Sequence, residues 1–532
     1  MSDERPGSHG RRGDLLGNSG WNFAGFLFTL IANLATVPFV VRWIGLHALG
    51  SAGIVIAIAA PVTLIGTVLG QAVIREISAR IGRGEENAAA RVGIAGIKIC
   101  LIASAVAWLG IVLAGPWITT GIAGASLPTS QNVTISFLIV ATGTLAQQFS
   151  LVLQGICVGK QSFRLVAKAS AWSSFATIVM TLGCTLSFPV VNGYLLGFSG
   201  SLVLSTAGWV WVTFPEFREN GRSISSSPQE LKSLLDFGKW QSLSQLAGIF
   251  GNQMDRYVLA SLAPSAVVGQ YNVCNRVQEA AYIAVIRICE VLFPRFGNMS
   301  NSREEERHDF FMLASWGNSA FGAIVLSPIA VLSSPLLTVW VGEGTAAGGA
   351  HLLQILILGG IVGCGSNVFQ YYAMGMGRNA PAAYTSLVYS LMTVVCSFVS
   401  IRYFGPYAAG AGLLAASLVR VPIALLVTRK CFFSTFTAEQ MFACTASPIL
   451  VGVCVVVGSL GLDFTWINGW LSLAIAYVGL VCVVTGAIAA VAMMTNTGSI
   501  ILSRAYGSVR TALSARRMIG WNHHLVRRKR GL

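Results

Sequence analysis

Charged side chains are scarce in this 532-residue sequence: Asp, Glu, Lys and Arg make up 10% of it, against about 25% in an ordinary soluble domain. With 54% hydrophobic residues, so few charges cannot cover the surface of a soluble chain this long, and that class is excluded. C-x-x-C pairs are missing too. The eleven cysteines run from Cys100 to Cys482, mostly inside apolar segments where Cys packs as a small hydrophobe, so neither a disulfide framework nor a zinc site is expected. The six histidines are dispersed, which argues against any metal site. The nearest approach to a phosphate loop, Gly155 to Lys160, has the wrong spacing and continues with Gln161 instead of Ser or Thr. No long polar loop is available to host a transferase or polymerase site, and no catalytic constellation stands out. The chain is therefore not read as an enzyme, and no cofactor is expected beyond a proton or sodium gradient.

Apolar runs of bilayer length are abundant instead. Spans are expected near 20–44, 48–70, 92–116, 132–158, 164–188, 192–215, 238–262, 266–293, 309–341, 350–374, 381–401, 406–428, 442–461 and 468–494. Each is long enough to cross a hydrocarbon core of about 30 Å as a helix, which predicts an all-α integral membrane protein of about 14 transmembrane helices. The first stretch, about Trp21 to Ile44, is too long for a signal-peptide core and suits a span.

The formal net charge is +15, from 35 basic and 20 acidic residues. With the N-terminus inside, 28 of the 35 Lys and Arg fall on the inner side and only Arg42 and Arg402 on the outer. This asymmetry predicts that both termini are cytoplasmic. Residues 495–532 contain eight Lys or Arg and no Asp or Glu, with Trp521 and Leu525 interleaved, a pattern suited to an anionic inner leaflet. Topology accounts for Arg527-Arg528-Lys529-Arg530, and nucleic acid is not an expected partner.

The spans repeat. Adding about 219 to the starts of the first six gives the starts of the next six within about five residues. Gly50-Ser51-Ala52 opens the second span and Gly269-Gln270-Tyr271 the eighth; Gly159-Lys160 answers to Gly377-Arg378. The expected organisation is a six-helix lobe over 1–215, a linker over 216–237, a second six-helix lobe over 238–430, two extra spans over 431–494 and the basic tail over 495–532. Paired lobes of this kind hold substrate between them and rock to alternate access. In the linker, Ser227 and Glu230 form a capping box with Pro228 at the first helical position, which predicts a short interfacial helix.

Ionisable groups within spans are costly and normally face a cavity or a partner. They are Lys98, Asp255, Arg256, Arg276, Glu279, Arg287, Glu290 and Arg420, six of them on the seventh and eighth spans. The eighth span repeats one pattern, Arg276-Val277-Gln278-Glu279 and Arg287-Ile288-Cys289-Glu290. An eleven-residue step puts both units on one stripe, with Tyr271 and Gln278 expected near it. Two readings stay open: intrahelical ion pairs that make the charges tolerable in lipid, or a partly cationic wall for an anionic head group, with Glu279 and Glu290 tuning the charge. Asp255 is the first candidate for a proton- or cation-linked carboxylate, or else a partner of Arg276. Asn22 and Asn33 in the first span, and Asn367, Gln370 and Tyr371 in the tenth, are further candidates for a polar cavity.

Arg42-Trp43-Ile44-Gly45 with Gly50-Ser51-Ala52, Leu234-Leu235-Asp236-Phe237-Gly238, and Asp255-Arg256-Tyr257 followed by Val268-Gly269-Gln270-Tyr271 carry a family resemblance. The chain resembles the Wzx-type O-antigen and exopolysaccharide flippases of the multidrug/oligosaccharidyl-lipid/polysaccharide exporter superfamily. Ala52 departs from the pattern, which usually has an aromatic residue there. The resemblance implies a MATE-like pair of lobes in the bacterial inner membrane. It also implies flipping of an undecaprenyl-pyrophosphate-linked glycan, with Arg256, Arg276 and Arg287 on the anion and the two extra helices guiding the lipid tail. Polysaccharide polymerase and assembly proteins are the partners it suggests. The drug-efflux branch of the same superfamily is the competing expectation; it calls for an acidic cavity, whereas the intramembrane charges here are five basic and three acidic.

Overall fold

The computed structural model describes residues 9–123, 132–160, 162–220, 255–299 and 302–494, with side chains from residue 34 onward apart from the end of the sixth helix and scattered positions such as Glu290. Among the described residues the secondary structure is helical, as the recurring apolar runs require. The long helices are α1 (His9–Ala59), α2 (Thr63–Gly82), α3 (Glu86–Ala123), α4 (Val133–Gly159), α5 (Phe163–Ser187) and α6 (Val191–Asn220). Then come α7 (Ser265–Asn298), α8 (Glu304–Val331), the short α9 (Ser333–Trp340), α10 (Glu343–Gly363), α11 (Asn367–Gly375), α12 (Asn379–Phe404) and α13 (Gly410–Cys431). One turn, α14 (Ala438–Met441), leads through a π-helical segment, Phe442–Ala446, into α15 (Ser447–Gly458), and α16 (Trp470–Met494) follows.

Eleven stretches among the described residues are long and apolar enough to cross a membrane, which makes this a multi-pass membrane protein. One of them, Leu34–Ser78, takes in the end of the first expected span and the whole of the second; between the two, α1 breaks at Gly45, whose φ of 78° suits glycine. The eighth expected span is α7, fully helical despite its charges. Most of the seventh expected span, the linker beyond Asn220 and the basic tail lie outside the described residues.

Local irregularities interrupt the helices. Thr437 caps α14 with a complete capping box: its hydroxyl accepts from Gln440 N–H at 3.3 Å, and Gln440 Oε1 accepts from Thr437 N–H at 3.1 Å. The tenth expected span is not one helix. A 3-10 turn, Cys364–Ser366, separates α10 from α11 and sets Asn367 at the start of the second piece. The Cys364 carbonyl at this break accepts from the Asn367 backbone and also from Asn318 Nδ2 at 2.8 Å. Asn318 thus serves backbone that regular helix would have satisfied.

Contacts divide the chain into two compact units. The first comprises residues up to Val277 with Trp340–Gly349 and Thr393–Gly412. Its core gathers Val73, Ile77, Val92, Val152, Ile156, Val166 and Trp209 from α2 to α6. Small residues let backbones approach: a Cβ on Gly155 would lie 2.7 Å from the Gly70 carbonyl oxygen. The second unit comprises Gln278–Val339, Ala350–Met392 and the chain from Leu413 on. At its heart Phe296, Phe311, Tyr372, Phe433 and Phe436 are buried together, with Phe311 and Tyr372 ring centroids 5.3 Å apart, edge to face.

Candidate functional site

Two polar constellations lie within the helices, one in each unit. In the first unit, Asp255 is buried at the start of the helical residues 255–262. Its Oδ1 accepts from the Arg256 backbone N–H at 2.8 Å, and its Oδ2 accepts from the hydroxyl of fully buried Tyr271 on α7. Next to it, Tyr257 donates to the Ala57 carbonyl of α1. These two hydrogen bonds offset part of the cost of burying the Asp255 carboxyl group. Arg276, a turn and a half further along α7 than Tyr271, is half-buried and donates from Nη2 to Tyr194 of α6 at 3.2 Å.

In the second unit, Tyr282 of α7 donates to Asn367 Oδ1 at 2.8 Å, and Gln370 Nε2 donates to Ser386 of α12 at 2.8 Å. A Cβ on Gly360 would sit 3.4 Å from Gln278 Nε2, so the small residue admits that buried amide. Cys289 Sγ donates to Asn318 Oδ1 at 3.1 Å. Arg420 of α13 stands over the ring of Tyr389, its guanidinium carbon 4.8 Å from the centroid.

The stripe expected on α7 needs correction. Tyr271 and Gln278 do not flank the Arg-Glu units; with Asn275 they are buried on another face, while Glu279 and Arg287 are exposed and Arg276 half-exposed. The reason is angular: Tyr271 and Gln278 are aligned with each other but stand about 140° or more from Arg276 around the helix. Gln278 and Asn367 both lie in the second unit, whereas Asp255, Arg256, Tyr271 and Arg276 belong to the first. The side chains of Asn22, Asn33 and Glu290 lie outside the described residues. Three aromatic hydroxyls that the sequence does not assign to a site complete the constellations: Tyr194, Tyr257 and Tyr282. Two of them leave a trace in sequence: Tyr257 follows Asp255-Arg256, and Tyr282 lies four residues beyond Gln278 on the same face.

Among solved structures, an inward-facing multidrug resistance MATE family transporter superposes with a TM-score of 0.68 at 16% identity, over 76% of this chain and 95% of that one. The inward closed conformation of lipid II flippase MurJ gives 0.66 at 11% identity, over 88% of this chain and 98% of that one. A mutant form of the Vibrio cholerae MATE transporter VcmN gives 0.58 at 18% identity, over 80% of this chain and 99% of that one. These likenesses establish a MATE-like fold. Comparison with curated proteins gives no match. The sequence pattern of one family, described as polysaccharide biosynthesis protein, matches residues 15–300, and on that match over more than half of its length the chain belongs to the polysaccharide biosynthesis protein family.

Proposed function

We propose that the protein is a transporter that flips an undecaprenyl-pyrophosphate-linked oligosaccharide across the bacterial inner membrane by alternating access, for exopolysaccharide, O-antigen or capsule synthesis. The observation that carries this reading is α7: a helix of a polysaccharide biosynthesis family member that holds Arg276, Glu279 and Arg287 within a membrane-embedded fold. Lipid alone does not accommodate such a helix; a pyrophosphate-sugar head group needs a wet, basic path, while a polyprenyl tail can remain in lipid. Arg256, Arg276 and Arg287 are assigned to the anion, and Gln278, Tyr271, Asn22, Asn367 and Gln370 to polar contacts along the path. Asp255, Glu279 and Glu290 are assigned to coupling with a proton or sodium gradient. Both termini are cytoplasmic in this reading, and the basic tail lies on anionic lipid. The burial of Tyr271 and Gln278 supports a role for them in shaping the path more than in touching cargo.

Deletion of the gene followed by analysis of lipid-linked repeats tests the proposal. Repeats that accumulate on the inner face together with lost polysaccharide are expected. Unchanged polysaccharide with altered resistance to organic cations would instead support efflux and overturn it.

A further inference from the structure

In the second unit, polar groups from four helices gather, and two of them, on α11 and α13, hold buried hydrogen-bond donors without matching acceptors. Tyr282 already occupies Asn367 Oδ1, yet Asn367 is only 5% exposed and its Nδ2 has no partner. Arg420 sits mid-way along α13, and its Nε is buried without a partner. Arg420 and Tyr389 both lie within electrostatic range of the Tyr282 hydroxyl, which gathers them around it. Gly363 lets the helices approach closely there: a Cβ on it would lie 3.2 Å from the Tyr282 hydroxyl and 3.5 Å from Ser417 Oγ, so any larger residue would crowd the cluster.

The chemistry of this cluster is specific. The guanidinium lies over the Tyr389 ring, and its Nε edge has no acceptor. That edge matches a carboxylate, which accepts two parallel hydrogen bonds. Among the described residues Arg420 has no acidic partner and no hydrogen bond, so the positive charge stands uncompensated except by the ring. One cation balances one negative charge; a pyrophosphate would bring two or more into the same apolar surroundings. The Asn367 amide can donate to a sugar hydroxyl, and tyrosine rings offer apolar faces for the C–H side of a pyranose.

From these observations we infer that Arg420, Asn367, Tyr282 and Tyr389 form a subsite for a sugar bearing a carboxylate, such as a uronic acid, in the transported head group. The inference rests on the flippase reading above and adds the chemical class of the cargo and a residue, Arg420, which that reading leaves unassigned.

Binding to the purified full-length protein in nanodiscs provides the test, since it does not depend on transport. Sodium glucuronate, glucose at equal ionic strength and inorganic pyrophosphate are the probes, with thermal stabilisation as the readout. Glucuronate is expected to stabilise the parent protein and to lose at least tenfold in apparent affinity with R420Q. With R420K, which keeps the charge and loses the planar edge, the loss is smaller. If R420Q does not fold, Tyr389→Leu and R420K carry the test. Stabilisation by pyrophosphate through Arg420 but not by glucuronate would overturn the inference, as would equal effects of glucuronate and glucose. Should the gene deletion accumulate lipid-linked repeats while glucuronate fails to bind, only this subsite falls. Unchanged polysaccharide in the deletion removes the flippase reading itself.

Discussion

Gly50 and Gly269, 219 residues apart and at equivalent places in the two repeats, each lie against the carbonyl one helical turn before the other. A Cβ on Gly50 would collide with the Ser265 carbonyl oxygen, and a Cβ on Gly269 with that of Leu46. Leu46 and Ser265 are themselves 219 apart, as are Gly53 and Asn272, which also meet. The contact is therefore reciprocal: residue i of one repeat meets residue j of the other, and j meets i, as at a two-fold interface. The offset that the sequence shows along the chain is present in space where these two helices cross.

Such a close backbone crossing admits no side chain. Gly50→Leu and Gly269→Leu are each expected to prevent it, at an overpacking cost of about 1–3 kcal/mol. The measurements are thermal inactivation in detergent and polysaccharide output in cells. Lowered stability and at least tenfold lower output are expected from either leucine variant, with the alanine variants in between. Normal output from Gly50→Leu would show that the transport cycle does not need this contact.

The repeat is not symmetric in its polar groups. Asp255 and Tyr271 correspond to Thr36 and Ala52 in the first copy, so the buried carboxylate and its phenol exist only in the second. Tyr271→Phe would leave a buried Asp255 oxygen without this donor, a cost of about 1–3 kcal/mol. A lower melting temperature is expected. Asp255→Asn can still pair with both groups, its Oδ1 accepting from the Arg256 N–H and its Nδ2 donating to the Tyr271 oxygen, so it should melt close to the parent. If Asp255 couples an ion, the same variant should lose gradient-driven transport. A stable Asp255→Asn protein that still transports when the gradient is applied, and slows when it is collapsed, would remove Asp255 from coupling.

Much of this architecture is legible before any coordinates. Hydropathy places most of the spans, because a bilayer demands long apolar helices with every backbone group paired; the charged α7 is not among the eleven apolar stretches of the described residues. The glycine offset is legible for the same reason: close helix approach leaves small residues at fixed positions. Asn367 and Gln370 stand out as polar residues in an apolar run. What they touch does not, since the 3-10 break at Cys364–Ser366 that sets Asn367 beside Tyr282 has no Pro or charge to announce it. The faces of α7 escape a linear reading because proximity in sequence is not proximity around a helix. Gln278 is two residues from Arg276 and nearly opposite to it. Tyr194 is 82 residues from Arg276, and only tertiary packing joins them.

The aromatic cluster of the second unit gives a prediction about stability alone. Phe433, fully buried just beyond α13, meets Phe311, Tyr372 and Phe436, with centroids 5.5, 5.3 and 6.4 Å away. It packs the segment that follows α13 against α8 and α11. Phe433→Ala should cost about 3–5 kcal/mol. The check is a thermal melt of the purified protein, with a Tyr389 variant as a control distant in sequence. An unchanged melt would mean that the cluster collapses around the cavity or contributes little.

Arg276 and Tyr194 allow positioning to be separated from charge. The Tyr194 hydroxyl accepts one guanidinium N–H and carries no charge, so it orients the side chain without neutralising it. Arg276→Ala removes the cation and is expected to abolish polysaccharide output while the protein stays in the membrane. Arg276→Lys keeps the charge but lacks the planar fork, and partial output is expected. Tyr194→Phe keeps the cation and the ring and removes only the acceptor. Output should fall several-fold there, well short of the alanine variant, with an unchanged melting temperature. Complementation of a deletion strain, with membrane levels measured in parallel, orders the three. Normal output from Arg276→Ala would take Arg276 out of the path; equal loss in Tyr194→Phe and Arg276→Ala would make orientation, and not charge, the essential property.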